Sequence, residues 1–314
     1  MRGSETPRVY MIHENPEWLP PLAAGFAAEG VPMEEWLLTE GSIDLASPPP
    51  PGVYWSRLSG SAHTRGHGST KEYTRAVLSW LEAHGRRVVN GRHVVELEVS
   101  KVEQYLALGG AGFDVPRTVA VFGKTDLATR ARELPLPFIA KHNQGGKGLG
   151  VRRFDRYHDF DAYVASPDFE EPADGITLLQ EYLHAREPFI TRIEFVGGRY
   201  VYAVRVDTSS GSFELCPADV CEVPAAAGPP FSRRLGFDDH PLIGRLEAFL
   251  RERRIEVCGV EFIETEDGRD VVYDLNTNTN YNPAVEAESP RSGPRELARY
   301  LGGLLTAEYG AVPA

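Results

Sequence analysis

Apolar positions along this chain recur with two periods, and the switches between them mark out its elements. Short continuous or alternating apolar runs predict strands over residues 8–13, 53–55, 138–141 and 178–183. A strand also follows the turn in 112–121, and residues 192–206 read as a hairpin joined at Gly197-Gly198. Helical spacing puts Tyr73, Val77, Leu78 and Leu81 on one face of 70–85. Further helices are expected over 22–29, ending at Gly30, and over 242–253 and 294–305. Ser100 is placed to cap a helix that begins at Lys101. Two more strands, 259–264 and 270–275, flank Glu266-Asp267-Gly268-Arg269, and Asp-Gly between apolar runs is a strong hairpin signal.

This alternation of strands and helices predicts an α/β or α+β chain. At 314 residues it is too long for one small core, so two or three subdomains are expected. The run Pro48–Pro51 cannot sit inside a helix or a central strand, and 222–240, rich in Pro, Gly and Ala, reads as a loop. Net charge −12 argues against a general nucleic-acid or membrane binder. No segment approaches the ~20 apolar residues that span a bilayer, and the N-terminus has no signal-peptide core. Cys216, Cys221 and Cys258 have no metal-like spacing and read as free thiols, so a cytoplasmic location is expected.

Candidate chemistry concentrates in two places. In the 259–283 hairpin, Glu261 on one strand and Asp274 with Asn276 on the other can present oxygens to one point. An all-oxygen set suits Mg²⁺, with Mn²⁺ as a substitute, although a solvated hairpin with polar decoration has the same local pattern. The second place is Gly145-Gly146-Lys147-Gly148-Leu149-Gly150, between two strands. It is neither a Walker loop nor a strand-to-helix dinucleotide turn. Glycines allow several backbone N–H groups to approach an anion, and Lys141 enters from the preceding strand as a point charge for phosphate; a flexible hairpin tip is the competing reading. His63 and His67 are four apart, but glycines at 60, 66 and 68 oppose a helical metal pair there. Arg86-Arg87 and 251–254 read as solvated helix ends.

Lys101, Lys141 before a Gly-rich hairpin, Gln180-Glu181-Tyr182-Leu183 and Glu261…Asp274-x-Asn276 occur in the order and spacing of the ATP-grasp enzymes. With Tyr54 to Gly60 and Val89-Asn90, residues 53–300 resemble the ribosomal-protein glutamate ligase branch. The resemblance implies an ATP-grasp fold: a small N-terminal α/β domain (1–97), then two ATP-binding α+β subdomains (98–183 and 184–314). It implies that Lys101 and Lys141 hold the α- and β-phosphates of ATP. Gly145, Gly146, Lys147, Gly148 and Gly150 would form the lid, and Gln180, Glu181, Tyr182 and Leu183 the adenine hinge. Glu187 would bind ribose, Arg205 would meet the transferred phosphate, and Glu261, Asp274 and Asn276 would hold Mg²⁺, two ions bridged by one carboxylate. Arg192 matches the arginine of an Asp-Ile-Arg run that here reads Ile190-Thr191-Arg192, without the acid.

The activity so implied is ATP-dependent joining of a carboxylate to an amine through an acyl phosphate. The partners expected are a small molecule or a peptide, with no nucleic acid or membrane, and a homo-oligomer, a dimer first. A small-molecule kinase and a non-catalytic ATP-binding protein are the alternatives. For the substrate, Arg57, Ser59, Arg65 and His67 in the N-terminal loop are candidates. So are Asn278 and Asn280, which replace the Ser-Ser-Pro-Gly of relatives and would share a face with Asn276 if the strand continued.

Overall fold

The computed structural model describes residues 6–146, 148, 150–209 and 230–310. Lys147, Cys216 and Cys221, on which sequence expectations fell, lie outside them.

The first unit contains β1 (Arg8–His13), α1 (Leu19–Ala28), β2 (Met33–Leu37), β3 (Gly52–Ser56), α2 (Thr70–Ala83), β4 (Arg87–Val89) and α3 (Arg92–Glu98). Its four strands pair in parallel in the order β2-β1-β3-β4. β3 is buried along its whole length, as a central parallel strand covered on both faces must be. Val77, Leu78 and Leu81 of α2 pack on one face of this sheet against Tyr10, Ile12 and Tyr54. β2 escaped the sequence reading because MEEWL at a sheet edge has no buried face to impose an apolar period.

The second unit runs through α4 (Lys101–Gly110), β5 (Thr118–Phe122), α5 (Leu127–Ala131), β6 (Phe138–His142), β7 (Arg152–Phe154), α6 (Tyr157–Ala165) and β8 (Ile176–Glu181). Ser100 caps α4, its hydroxyl accepting the Glu103 N–H at 3.3 Å. The strands form an antiparallel sheet, β5-β8-β6-β7, with α5 and α6 packed through Leu127, Phe138, Phe154 and Phe160.

The third unit holds β9 (Phe189–Val196), β10 (Arg199–Asp207), β11 (Phe231–Arg233), α7 (Pro241–Arg253), β12 (Val257–Glu264), β13 (Asp270–Asn276), α8 (Pro283–Glu288) and α9 (Gly293–Tyr309). Its antiparallel order is β11-β10-β9-β12-β13. Residues 222–240 are therefore not all loop: the described part pairs β11 with the outer edge of β10.

Two cores lock these units together. Val9, Phe26 and Trp55 of the first sheet's other face share one core with Val201, Tyr202 and Leu301 of the third unit. Leu108 and Phe113, at and just beyond the end of α4, pack with Ile193, Phe249 and Val260 in another. The second sheet keeps its own core, so its β6–β7 end overhangs the third sheet and leaves a cleft between them.

The α1–α9 contact is close enough to test. A Cβ on Gly25 would meet the Pro294 backbone carbonyl atoms at 2.9 Å. Gly25→Ala is expected to lower stability by about 1–3 kcal/mol through overpacking. An unchanged denaturation midpoint would show that the two helices are not held this tightly.

Candidate active site

The floor of the cleft is the β9–β12–β13 part of the third sheet. Glu261 faces Asp274 across the β12–β13 pair, and Asn276 faces Gly259. On the other side Glu261 is beside Arg192 of β9. The Arg192 guanidinium uses all three of its nitrogens here: Nη1 donates to Glu261 Oε1 (3.0 Å), Nε to Glu194 Oε1 (2.6 Å) and Nη2 to Thr279 Oγ1 (2.6 Å). Thr279 passes the chain on by donating to Glu194 Oε2 at 2.6 Å. Gly259 makes room for the guanidinium, since a Cβ there would lie 2.6 Å from Nη2. Glu194 is 2 % exposed and supplies the acid that the run at 190–192 lacks. It lies two residues from Arg192 on the same strand face, so alternation alone could have found it.

Charge balance sets the protonation of this floor. Burial drives the Glu261 carboxyl up against the pull of Arg192. Burial also acts on Asp274, but Lys101 outweighs it and holds that carboxyl below its usual value. Lys101 itself is buried, yet Asp274 raises it; Nζ sits 2.5 Å from Asp274 Oδ1. Tyr273 completes the set by donating to Glu261 Oε2 at 2.8 Å. Glu261, Asp274 and Asn276 all line the cleft, a set of oxygen side chains that fits a hard divalent cation.

Above the floor, β6 brings Lys141 into the cleft, 6 % exposed. Its Nζ donates to Tyr105 Oη at 2.6 Å, and that hydroxyl donates in turn to the Tyr273 carbonyl at 2.9 Å. Burial, and then the charge of Lys101, bring Lys141 down to about 7. Burial pushes Tyr105 up to about 12. Gln104 staples α4 to β13 by exchanging two hydrogen bonds with the Leu275 backbone, at 2.8 and 3.1 Å. Lys101 is thereby fixed against Asp274 by the first turn of a helix whose next turn is tied to β13.

The Gly-rich segment and the end of β8 close the other sides. Gly145, Gly146 and Gly148 line the cleft, and Gly148 and Gly150 adopt φ +72 and +73, a left-handed backbone that favours glycine. Gln180, Glu181, Tyr182 and Leu183 line it too; β8 ends at Glu181, so Tyr182 and Leu183 belong to the connection into the third unit. Ile139, Val151, Ile263 and Leu275 add apolar wall. The enclosed volume is about 380 Å³.

Several sequence candidates lie elsewhere. Arg205 is not in the wall: Tyr202 and Val204 face the cleft, and the Arg205 guanidinium stacks on Phe189 at 4.4 Å. Glu187 is exposed and outside the lining. Arg57 is fully buried behind the wall, donating to the Thr279 carbonyl (2.9 Å) and Asn280 Oδ1 (2.7 Å) between the Trp18 and Trp55 rings. Burial lowers it to about 10. Arg65 pairs with Glu14, and His67 does not reach the wall, whereas Ser59 does. β13 ends at Asn276, so the strand does not continue as alternation assumed; Asn278 and Asn280 nonetheless line the cleft. His63 and His67 join no metal-like group. Among the described residues that geometry occurs at His240, Glu264 and Asp270, where Glu264 is already paired with Arg186 and Arg234. Glu98, Gln104, Tyr105, Tyr202 and Tyr273 were not anticipated, because their roles arise from contacts far apart in sequence.

No protein-family model and no curated protein matches this sequence. Solved structures do. The D-cycloserine synthetase DcsG superposes with TM-score 0.66 at 17% identity, over 95% of this chain and 99% of that one. A RimK domain ATP-grasp protein from Sphaerobacter thermophilus gives 0.66 at 18%, over 94% and 99%. The ATP-grasp ligase PsnB, complexed with minimal precursor, Mg and ADP, gives 0.63 at 15%, over 93% and 96%. At these identities the likeness is one of fold. The chain has the ATP-grasp fold.

Lys141 provides a test of the cleft's electrostatics. A lysine whose folded pKa lies near 7, below its usual 10.5, leaves the unfolded chain binding more protons between those values. Its contribution to stability therefore rises with pH across that window, and its cost is fully present below pH 7. Lys141→Met is expected to raise the thermal midpoint at pH 7, with the gain shrinking toward pH 10. It should also weaken ATP binding by about tenfold or more, the worth of one charge-assisted hydrogen bond. A lower midpoint at pH 7 with unchanged ATP affinity would contradict both expectations.

Proposed function

We propose that this ATP-grasp chain is an ATP-dependent carboxylate–amine ligase that makes an amide or peptide bond through an acyl phosphate. The observation that carries the reading is the convergence of Lys101, Lys141, Glu261, Asp274 and Asn276 in one cleft with the Gly-rich segment and the 180–183 connection. Nucleotide phosphates are the ligand that uses all of these groups at once. The adenine lies against the apolar wall by Ile139, Leu183 and Leu275, and backbone groups at Tyr182 and Leu183 read its edge. Lys101 and Lys141 hold the phosphates. Lys101, now paired with Asp274, would turn to a phosphate oxygen, and Asp274, Glu261 and Asn276 are the residues that would hold Mg²⁺. When bound, Mg²⁺ supplies charge neutralisation on the phosphate oxygens.

A carboxylate is a poor electrophile, so the reaction begins by making it a better one. A substrate carboxylate oxygen attacks the γ-phosphorus, and the bond to the bridging oxygen breaks to release ADP. Lys141 and Arg192 stabilise the charge that spreads over the transferring oxygens. With Arg205 turned away, Arg192 is the guanidinium at the metal ligands, and Glu194 and Thr279 fix its direction. The amine nitrogen next attacks the acyl carbon, the carbon–oxygen bond to phosphate breaks, and a proton leaves the nitrogen. Gly145, Gly146 and Gly148 close over the phosphates and keep water from the acyl phosphate. No side-chain nucleophile is needed.

ADP is expected to form only when an acid and an amine are both supplied with Mg-ATP. A stable phosphorylated product formed from a hydroxyl compound would instead identify a kinase. Asp274→Asn is expected to cut turnover by about 100-fold or more, because charge stabilisation around transferring phosphate is worth several kcal/mol. Its far-ultraviolet circular dichroism should be unchanged. Full turnover in this variant would remove Asp274 from the metal site.

A further inference from the structure

Beyond the metal hairpin the chain reaches the cleft with an asparagine at every second position: Asn276, Asn278, Asn280 and Asn282 all line it. Three of these amides have their oxygen end committed to partners that can only donate. Asn276 Oδ1 accepts the Asn278 N–H at 2.9 Å, and Asn280 Oδ1 accepts Arg57 Nη2 at 2.7 Å. Asn282 Oδ1 caps α8 by accepting the N–H groups of Ala284 (2.9 Å) and Val285 (3.1 Å). Backbone N–H groups and guanidinium have no acceptor, so chemistry settles which end of each amide is which. For Asn280 and Asn282 what remains for a ligand is the NH₂ end, and among the described residues these nitrogens make no hydrogen bond, whereas Asn276 keeps a second oxygen lone pair for the cation. Asn278 is 4 % exposed, and its oxygen is buried without a donor.

The surrounding charge limits what such a row can receive. Glu98 and Glu194 share the wall. Among the described lining residues the lysines and arginines are Lys101, Lys141 and Arg192, held by Asp274, Tyr105 and the Glu194–Glu261 pair. Arg57 and Arg65 are turned into internal contacts with Asn280 and Glu14. A second substrate carboxylate at this end would lie near Glu194 and Glu98, the latter pushed up to about 7 by burial. No cation among the described lining residues is left to meet it and Arg57 is screened behind Asn280, a desolvation cost that neutral amide donors do not offset. Carbonyl, amide and hydroxyl oxygens carry no such cost.

We propose that Asn280 and Asn282 form an uncharged donor row that binds amide, carbonyl or hydroxyl groups beyond the reacting carboxylate, and so select against dicarboxylic substrates. The assignment rests on the ligase reading above. It makes the substrate a peptide-like or otherwise amide-bearing acid.

Hydroxylamine tests it without knowledge of the natural amine. Its nitrogen attacks the acyl phosphate, the carbon–oxygen bond to phosphate breaks, and a hydroxamate forms that colours with iron(III). With Mg-ATP, N-acetylglycine and N-acetylglycylglycine are expected to give hydroxamate about tenfold or more faster than glutarate and succinate at equal concentration, a difference of roughly 1.4 kcal/mol. Equal or faster reaction of the dicarboxylates would overturn the donor row and leave carboxylate activation standing. No hydroxamate from either set would overturn both. Asn280→Asp and Asn282→Asp keep the oxygen that serves Arg57 or the α8 cap and replace only the NH₂. Each should raise KM for N-acetylglycine about fivefold or more, with KM for ATP and the thermal midpoint unchanged. An unchanged KM for N-acetylglycine in both variants would mean that the asparagines are structural.

Discussion

Arg192 is the charge on which the cleft floor depends. Its guanidinium ties together β9, through Glu194, β12, through Glu261, and the turn after β13, through Thr279. Burying two carboxylates this close is unfavourable unless a cation satisfies both, and removing that cation would leave uncompensated charge. The floor therefore exists as a unit. Arg192 holds Glu261 beside Asp274 and also binds Thr279, which sets the path of the chain toward Asn280, so the proposed nucleotide and substrate ends of the cleft share one anchor.

A second buried system, above the first, repeats this logic with weaker partners. Lys101 has a carboxylate, Asp274, whereas Lys141 has only the Tyr105 hydroxyl. Among the described residues Lys141 has no directly paired carboxylate, and Asp274 and Glu261 act on it only from a distance. In the proposed reading a triphosphate would supply what it lacks, and the cost of keeping it buried would be recovered as nucleotide affinity. The lines of contact from Tyr105 to Tyr273 and from Gln104 to Leu275 keep both lysines in register with β13. The N-terminal unit then closes the far end, where Arg57 clamps the Thr279–Asn280 turn from behind.

The residues legible in sequence were those with a local signature. Lys101 follows a capping serine, Lys141 precedes a run of glycines, and Asp274 follows an Asp-Gly turn. Tyr105, Glu98 and Gln104 carry no such mark, since each acts on a segment that meets it only in the fold. Arg205, placed at the phosphate by resemblance alone, shows how a local irregularity redirects a side chain. A bulge between Tyr200 and Tyr202 shifts the β9–β10 register by one residue. Without it, Arg205 would share the face of Arg192; with it, Val204 takes that place and Arg205 points to Phe189. The Asn run was legible as polar, but not its polarity of bonding, because that depends on Arg57 and α8 claiming the oxygens.

The central claim is that a carboxylate oxygen of the substrate is transferred to phosphate. Turnover with an acid labelled with ¹⁸O in its carboxylate reads this directly, by mass spectrometry of the phosphate released. The account predicts one ¹⁸O atom in each phosphate formed. Unlabelled phosphate, with the label retained in the product, would contradict it.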